Sequence, residues 1–196
     1  MPSFPVFSRQ RLAGWVLPVL LLSLAACSPS HNWRLSRLDG VPLQALMPCK
    51  PERAQREVPL WGAAQPPVSL TMMSCAVGPH TFAVAALPLG SGNTPAAADA
   101  VQQARQAWMR AGWASLRLAV PAQAEAPPGW RAQPQTVAGA QQAQRWHGPG
   151  QDHQGQALQA HWLLAHNGRW LVQAALYGPP VADDVATTFF DALRFE

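Results

Sequence analysis

The segment QALQAHWLLAHNGRWLVQAALY, residues 156–177, decides how this chain folds. Asn167-Gly168 sits between two apolar runs, and Asn-Gly supplies the positive φ angles that a tight two-residue hairpin needs. A loop of that kind would pair Leu164 with Leu171 and Leu163 with Val172. Side chains alternate across a strand. One face then carries Leu158, Trp162, Leu164, Leu171 and Tyr177, and the other carries Leu163, Trp170, Val172 and Leu176. Both faces are apolar, so both must be covered.

Working outward, the covers are sought on either side. Thr94-Pro95 reads as a helix start, with a hydroxyl at the N-cap and proline in the first turn. The helix is expected to run to about Leu116, with Val101, Ala104, Trp108 and Leu116 as its apolar stripe and Gly112 allowing close approach. A shorter helix follows Pro179-Pro180, with Asp183 and Asp184 in its first turn and Val185 and Phe189 buried. Arg194-Phe195 then returns to the sheet or core. Further strands are expected at Trp33–Leu38 and Val41–Met47 around Asp39-Gly40, at Arg53–Leu60, Val68–Val77, His80–Leu87 and Thr136–His147. Gly148–Gly155 reads as a long turn, and the Pro-, Ala- and Gln-rich stretch 121–135 as a mobile excursion. The expected class is α+β: an antiparallel sheet covered by helices on both faces.

This order resembles the PsbP/Mog1-like α/β/α sandwich, and more closely the small proteobacterial lipoproteins of that build. The matching pieces are Pro48-Cys49-Lys50-Pro51, Thr81-Phe82-Ala83-Val84 and Thr188-Phe189-Phe190-Asp191-Ala192-Leu193-Arg194-Phe195. They are structural residues, so the resemblance implies no catalytic residue.

The N-terminus reads as an address. Arg9 and Arg11 precede the apolar stretch Leu12–Ala26, which is too short to span a bilayer comfortably and ends in small residues. Leu24-Ala25-Ala26-Cys27 resembles the bacterial lipobox. That resemblance implies cleavage before Cys27, a diacylglyceryl thioether on its sulfur and an acylated α-amine. Several acyl chains give stable attachment where one is marginal. Ser28 in the next position resembles the signal for release to the outer membrane. Residues 1–26 are thus a signal peptide, 27–32 a lipidated start and short tether, and 33–196 a single domain.

Of the three cysteines, assigning Cys27 to lipid leaves Cys49 and Cys75 in an oxidising compartment. A disulfide between them is expected, stabilising by about 3 kcal/mol in the chain-entropy picture. No C-x-x-C and no zinc-like His spacing favours the alternative of a redox or metal pair.

Composition narrows the function. The chain has 196 residues, 48% of them apolar and 12% charged, enough for a core and too apolar for global disorder. Beyond the leader there is no apolar run of about 18 residues, which argues against a polytopic membrane protein. Loss of Arg9 and Arg11 with the leader leaves 12 of the 14 basic residues against 10 acidic ones, a balance of +2. The arginines are scattered, so no nucleic-acid partner is expected. Abundant Ala, Gln, Pro and Trp beside a lone Lys50 reads as GC-rich codon usage.

Chemistry-bearing patterns are sparse. His147, His153, His161 and His166 surround one hairpin, yet nothing in their spacing requires convergence on a metal. Met72-Met73 point to opposite faces and read as core filling. Gly90–Thr94 lacks the lysine and spacing of a phosphate loop. No nucleophile, zincin or paired-carboxylate pattern is present, and no cofactor is expected. Trp61, Trp113, Trp130 and Trp146 are the tryptophans expected to be exposed, as a cleft for a cell-wall glycan or small apolar ligand. The expectation is a non-enzymatic, membrane-anchored envelope adaptor or assembly module with an envelope protein partner. The alternative is a ligand binder using that cleft.

Overall fold

The structure, a computed structural model, describes residues 31–196 except 63, 91–93 and 121–124. The expected leader, Cys27, Ser28 and most of the Gly90–Thr94 loop lie outside the described residues. The strands are β1 (Arg34–Arg37), β2 (Leu43–Met47), β3 (Glu52–Val58), β4 (Val68–Val77) and β5 (His80–Pro88). After them come helix α1 (Ala98–Ser115), β6 (Arg131–Pro134), β7 (Gln142–Gln151), β8 (Ala157–His166) and β9 (Trp170–Gly178). Helix α2 (Asp183–Asp191) and β10 (Arg194–Phe195) complete the order. Seven strands form one antiparallel sheet in the order β3-β4-β5-β9-β8-β7-β6, and β1-β2-β10 form a second, three-stranded one.

The deciding hairpin is present, with its turn moved by one residue. Asn167 N–H donates to the Trp170 carbonyl (3.3 Å), so Gly168-Arg169 occupy the centre of the turn. Gly168 supplies the positive φ (84°). Asn167 Oδ1 accepts from the amides of Arg169 (3.0 Å) and Trp170 (2.9 Å), which fixes the side chain before the turn. His166 therefore faces Leu171, and Leu164 faces Gln173. Moving a turn by one residue shifts the pairing by two, which preserves the faces because the side-chain period is two. Trp162, Leu164 and Leu171 lie in one core cluster, and Leu163, Val172 and Leu176 in the other.

The expected sandwich, with helices covering both faces, is corrected. Strands take up 45% of the described residues and helix 17%. Helix α1 covers one face with Ala104, Trp108 and Trp113. The other face is overlaid by the small sheet, whose Leu43, Ala45 and Met47 are fully buried, together with the nine-residue α2 and its Phe189 and Phe190. The physical reason lies in β2. Its alternate apolar residues give it one core-facing side, so it packs face-down on the large sheet rather than joining its edge. Its second neighbour, β10, arrives from far along the chain: Gln44 faces Arg194 and Leu43 faces Phe195. Phe195 N–H also donates to the Ala138 carbonyl (2.9 Å).

Other expectations shift as well. Helix α1 begins at Ala98 without a side-chain cap. Ala96 N–H donates instead to the Gly168 carbonyl (2.8 Å), which holds Thr94–Ala97 out of the helix. At the other end, Leu118 N–H reaches the Trp113 carbonyl (2.9 Å) and Arg117 N–H the Ala114 carbonyl (3.0 Å). That is a Schellman closure, and it places Arg117 in the left-handed region (φ 60°). Its guanidinium is tied to the carbonyls of Asp152 (3.2 Å) and His153 (2.8 Å). The stretch read as a turn at Gly148–Gly155 is strand as far as Gln151, and Arg131–Pro134 of the expected excursion form β6.

Cys49 and Cys75 are bonded, with Cα atoms 6.0 Å apart and a sequence separation of 26. Cys49 lies just past β2 and Cys75 in β4, so the bond staples the small sheet to the large one. No helix among the described residues is long and apolar enough to cross a membrane.

Candidate functional site

The α1 face of the large sheet is an aromatic core. Trp113 meets Trp130 and Trp146 edge-on, each with centroids 5.9 Å away, and Trp130 lies 4.4 Å from Trp162. Trp113, Trp130 and Trp146 are 3%, 8% and 7% exposed. The expectation that these three are exposed is therefore corrected. Met109 and Trp113, four apart, lie buried beside the predicted stripe and widen the buried face of α1. Trp146 faces Trp162 directly across the ladder. Trp130 stacks over Gly148, where any Cβ would fall 2.6 Å from the indole, and donates its N–H to the Pro149 carbonyl (3.0 Å). Trp61 does reach the surface, at 36% exposure.

Two depressions flank α1. The larger, about 530 Å³, lies between α1 and β7. Met109, Trp113, Val120 and Trp146 form its apolar wall, and Arg105 with Gln102, Gln142 and Gln144 its polar one. The smaller, about 360 Å³, is bordered by Leu60, Trp61 and Ala107. Gln106 and Arg110 belong to both. Trp61 and the Trp113–Trp146 pair thus line neighbouring depressions, while Trp130 lines neither.

The polar wall is ordered. Gln102 and Arg105 are neighbours at i, i+3 on α1, and Gln142 and Gln144 share one side of β7 at i, i+2. Arg105 Nη1 donates to Gln102 Oε1 (3.0 Å) and Gln142 Oε1 (3.3 Å), and Nη2 donates to Gln144 Oε1 (3.2 Å). Burial lowers the Arg105 pKa from its usual value, and guanidinium stays charged throughout the working range. Two ion pairs join described residues, Arg37–Glu196 and Arg53–Asp39, and neither touches this groove. Glu125, exposed, is its one acidic lining residue. The indole N–H groups of Trp113 and Trp146 are buried with no hydrogen-bond partner among the described residues. Sequence reasoning missed Arg105 and its glutamines because glutamine abundance was read as codon usage. The i, i+3 and i, i+2 spacings were the available signal.

The histidines do not converge. His147 and His161 stack across the β7–β8 ladder (5.9 Å), while His166 lies on the opposite face against Gln142 (3.4 Å). Burial, then Arg145 and His147, push the His161 pKa down. Burial, then Arg105, push that of His166 down. No group of three or more His, Cys, Asp or Glu among the described residues is arranged to hold a metal ion. Met73 is buried on the α2 side and Met72 packs on the α1 side.

No family model and no curated protein match the chain. Among solved structures it is similar to a protein of unknown function from Pseudomonas aeruginosa, at 17% identity and a TM-score of 0.35, over 76% of this chain and 83% of that one.

Proposed function

We propose that the chain is a lipid-anchored module of the bacterial envelope, held by acyl chains on Cys27 and acting as a non-enzymatic adaptor or assembly factor for an envelope protein. The observation that carries this reading is the cysteine inventory. Cys49 and Cys75 are bonded to each other, which accounts for two of three cysteines and fits an oxidising compartment. Cys27 is left at the end of a leader-like stretch, where Leu24-Ala25-Ala26-Cys27 resembles a lipobox. Ser28 supports the outer membrane, facing the periplasm. Mass spectrometry of the mature N-terminus, with Cys27→Ala as control, tests it. Acyl mass on Cys27 and release of the variant into the soluble periplasm are expected. Unmodified wild-type protein retaining Met1 would overturn the anchor.

A second reading, direct binding of a small ligand, is favoured by one observation: Trp61, Trp113 and Trp146 line adjoining depressions on the flanks of α1.

A further inference from the structure

Arg105 is a half-buried cation surrounded by neutral partners. A charge removed from water is ordinarily paired with an opposite charge, and here three glutamine carbonyls take that place. Amide oxygens fix the plane of the guanidinium without neutralising it. They leave donors over, the Nε–H among them, since no bond from that atom is formed to the described residues. With their oxygens turned to Arg105, Gln102 and Gln144 have amide NH₂ groups that make no hydrogen bond among the described residues. The groove wall is thus rich in donors, and Arg110 adds a second positive charge against the single carboxylate of Glu125. Next along the same two walls come Met109 and Trp113 on α1 and Trp146 on β7. The two indoles carry buried N–H groups with no acceptor among the described residues, and an orphaned buried donor costs about 1–3 kcal/mol.

We infer that the groove between α1 and β7 binds a small organic carboxylate with a flat apolar body, the carboxylate on Arg105 and the body against Trp113 and Met109. The inference rests on the second reading above, that the module binds a small ligand, and is independent of the anchor. Guanidinium suits the carboxylate because it offers parallel donors in a rigid fork, and such charge-assisted pairs are the stronger hydrogen bonds. The apolar wall would select carboxylates with a ring or acyl body over acetate.

Calorimetric titration of the purified protein with two matched pairs tests this: phenylacetate against phenylacetamide, and indole-3-acetate against indole-3-acetamide. At least one acid is expected to bind, at least about tenfold more tightly than its neutral partner. Arg105→Gln should remove that preference. Gln144→Glu should remove it too, by giving Arg105 an internal carboxylate, while leaving the melting temperature equal or higher. That outcome separates lost binding from lost folding. Equal binding of acid and neutral partner, or Gln144→Glu binding the acid as wild type does, would overturn the carboxylate assignment and leave the ligand-binding reading standing. No heat from any of the four compounds would overturn both.

Discussion

Gly112 shows how little room α1 leaves itself. A Cβ there would fall 2.8 Å from the ring of Trp162, which is fully buried and cannot swing aside. Gly112→Ala is expected to cost about 1–3 kcal/mol through overpacking, despite the better helix propensity of alanine. Urea unfolding measures it, and an unchanged midpoint would mean that α1 can lift without penalty. The same indole donates its N–H to the Tyr177 hydroxyl (3.1 Å), and burial pushes the Tyr177 pKa up to about 12, so the phenol stays protonated at ordinary pH. Tyr177→Phe is expected to cost about 1–3 kcal/mol by orphaning the indole, visible in the same melts. The sequence marked Gly112 as a point of close approach because it interrupts an apolar stripe at helical spacing. It did not reveal Trp113, Trp130 and Trp146 as buried. A tryptophan's exposure depends on which other rings share its space, and Trp146 meets Trp162 only once β7 and β8 are in register.

At the scale of elements, the hairpin around Asn167 was legible in its faces and not in its register. Alternation of apolar residues determines which side each one takes, and that survives a one-residue shift of the turn. The turn itself was settled by Asn167 Oδ1, which captures two amides beyond Gly168. The start of α1 was misread for a related reason: the Ala96 bond to Gly168 outweighs a threonine cap. Of the second sheet, the β1–β2 hairpin around Asp39-Gly40 was legible, and the third strand was not, because it comes from far along the sequence. No local pattern announces a pairing between Gln44 and Arg194, 150 residues apart. The disulfide beside that sheet carries a prediction of its own. Cys49→Ser with Cys75→Ser should lose about 2–4 kcal/mol and loosen the small sheet first. Hydrogen exchange should show β1 and β2 losing protection before β8 and β9, and uniform loss would contradict the stapling role.

For the whole molecule, stability should vary with pH through two histidines on opposite faces. Both pKa values are lowered in the folded state from the ordinary 6.5. Burial favours the neutral ring, so below that value the unfolded chain takes up protons that the folded one resists. Unfolding is thereby favoured as pH falls from about 6.5 toward the folded-state values, and stability should be full above that window. Arg145, His147 and Asp183 act on His161, and Arg105 on His166. A His161→Gln, His166→Gln double variant should flatten the melting curve across the window. If its slope matches that of wild type, other groups govern the acid limb. The architecture as a whole was half legible: a two-faced apolar sheet called for two covers, and composition could not say that one of them would be largely another sheet.

The pairing of β2 with β10 also sets an order of events. Arg194 donates to the Gln44 side chain, and Glu196 engages both Arg37 and Gln44, so the first strands wait for residues 194–196 before their sheet can close. During synthesis the β10-facing edge of β2 therefore stays unpaired until residues 194–196 have emerged. Until then the apolar run Leu43–Met47 keeps one backbone edge open, a place for misdirected strand pairing with another chain.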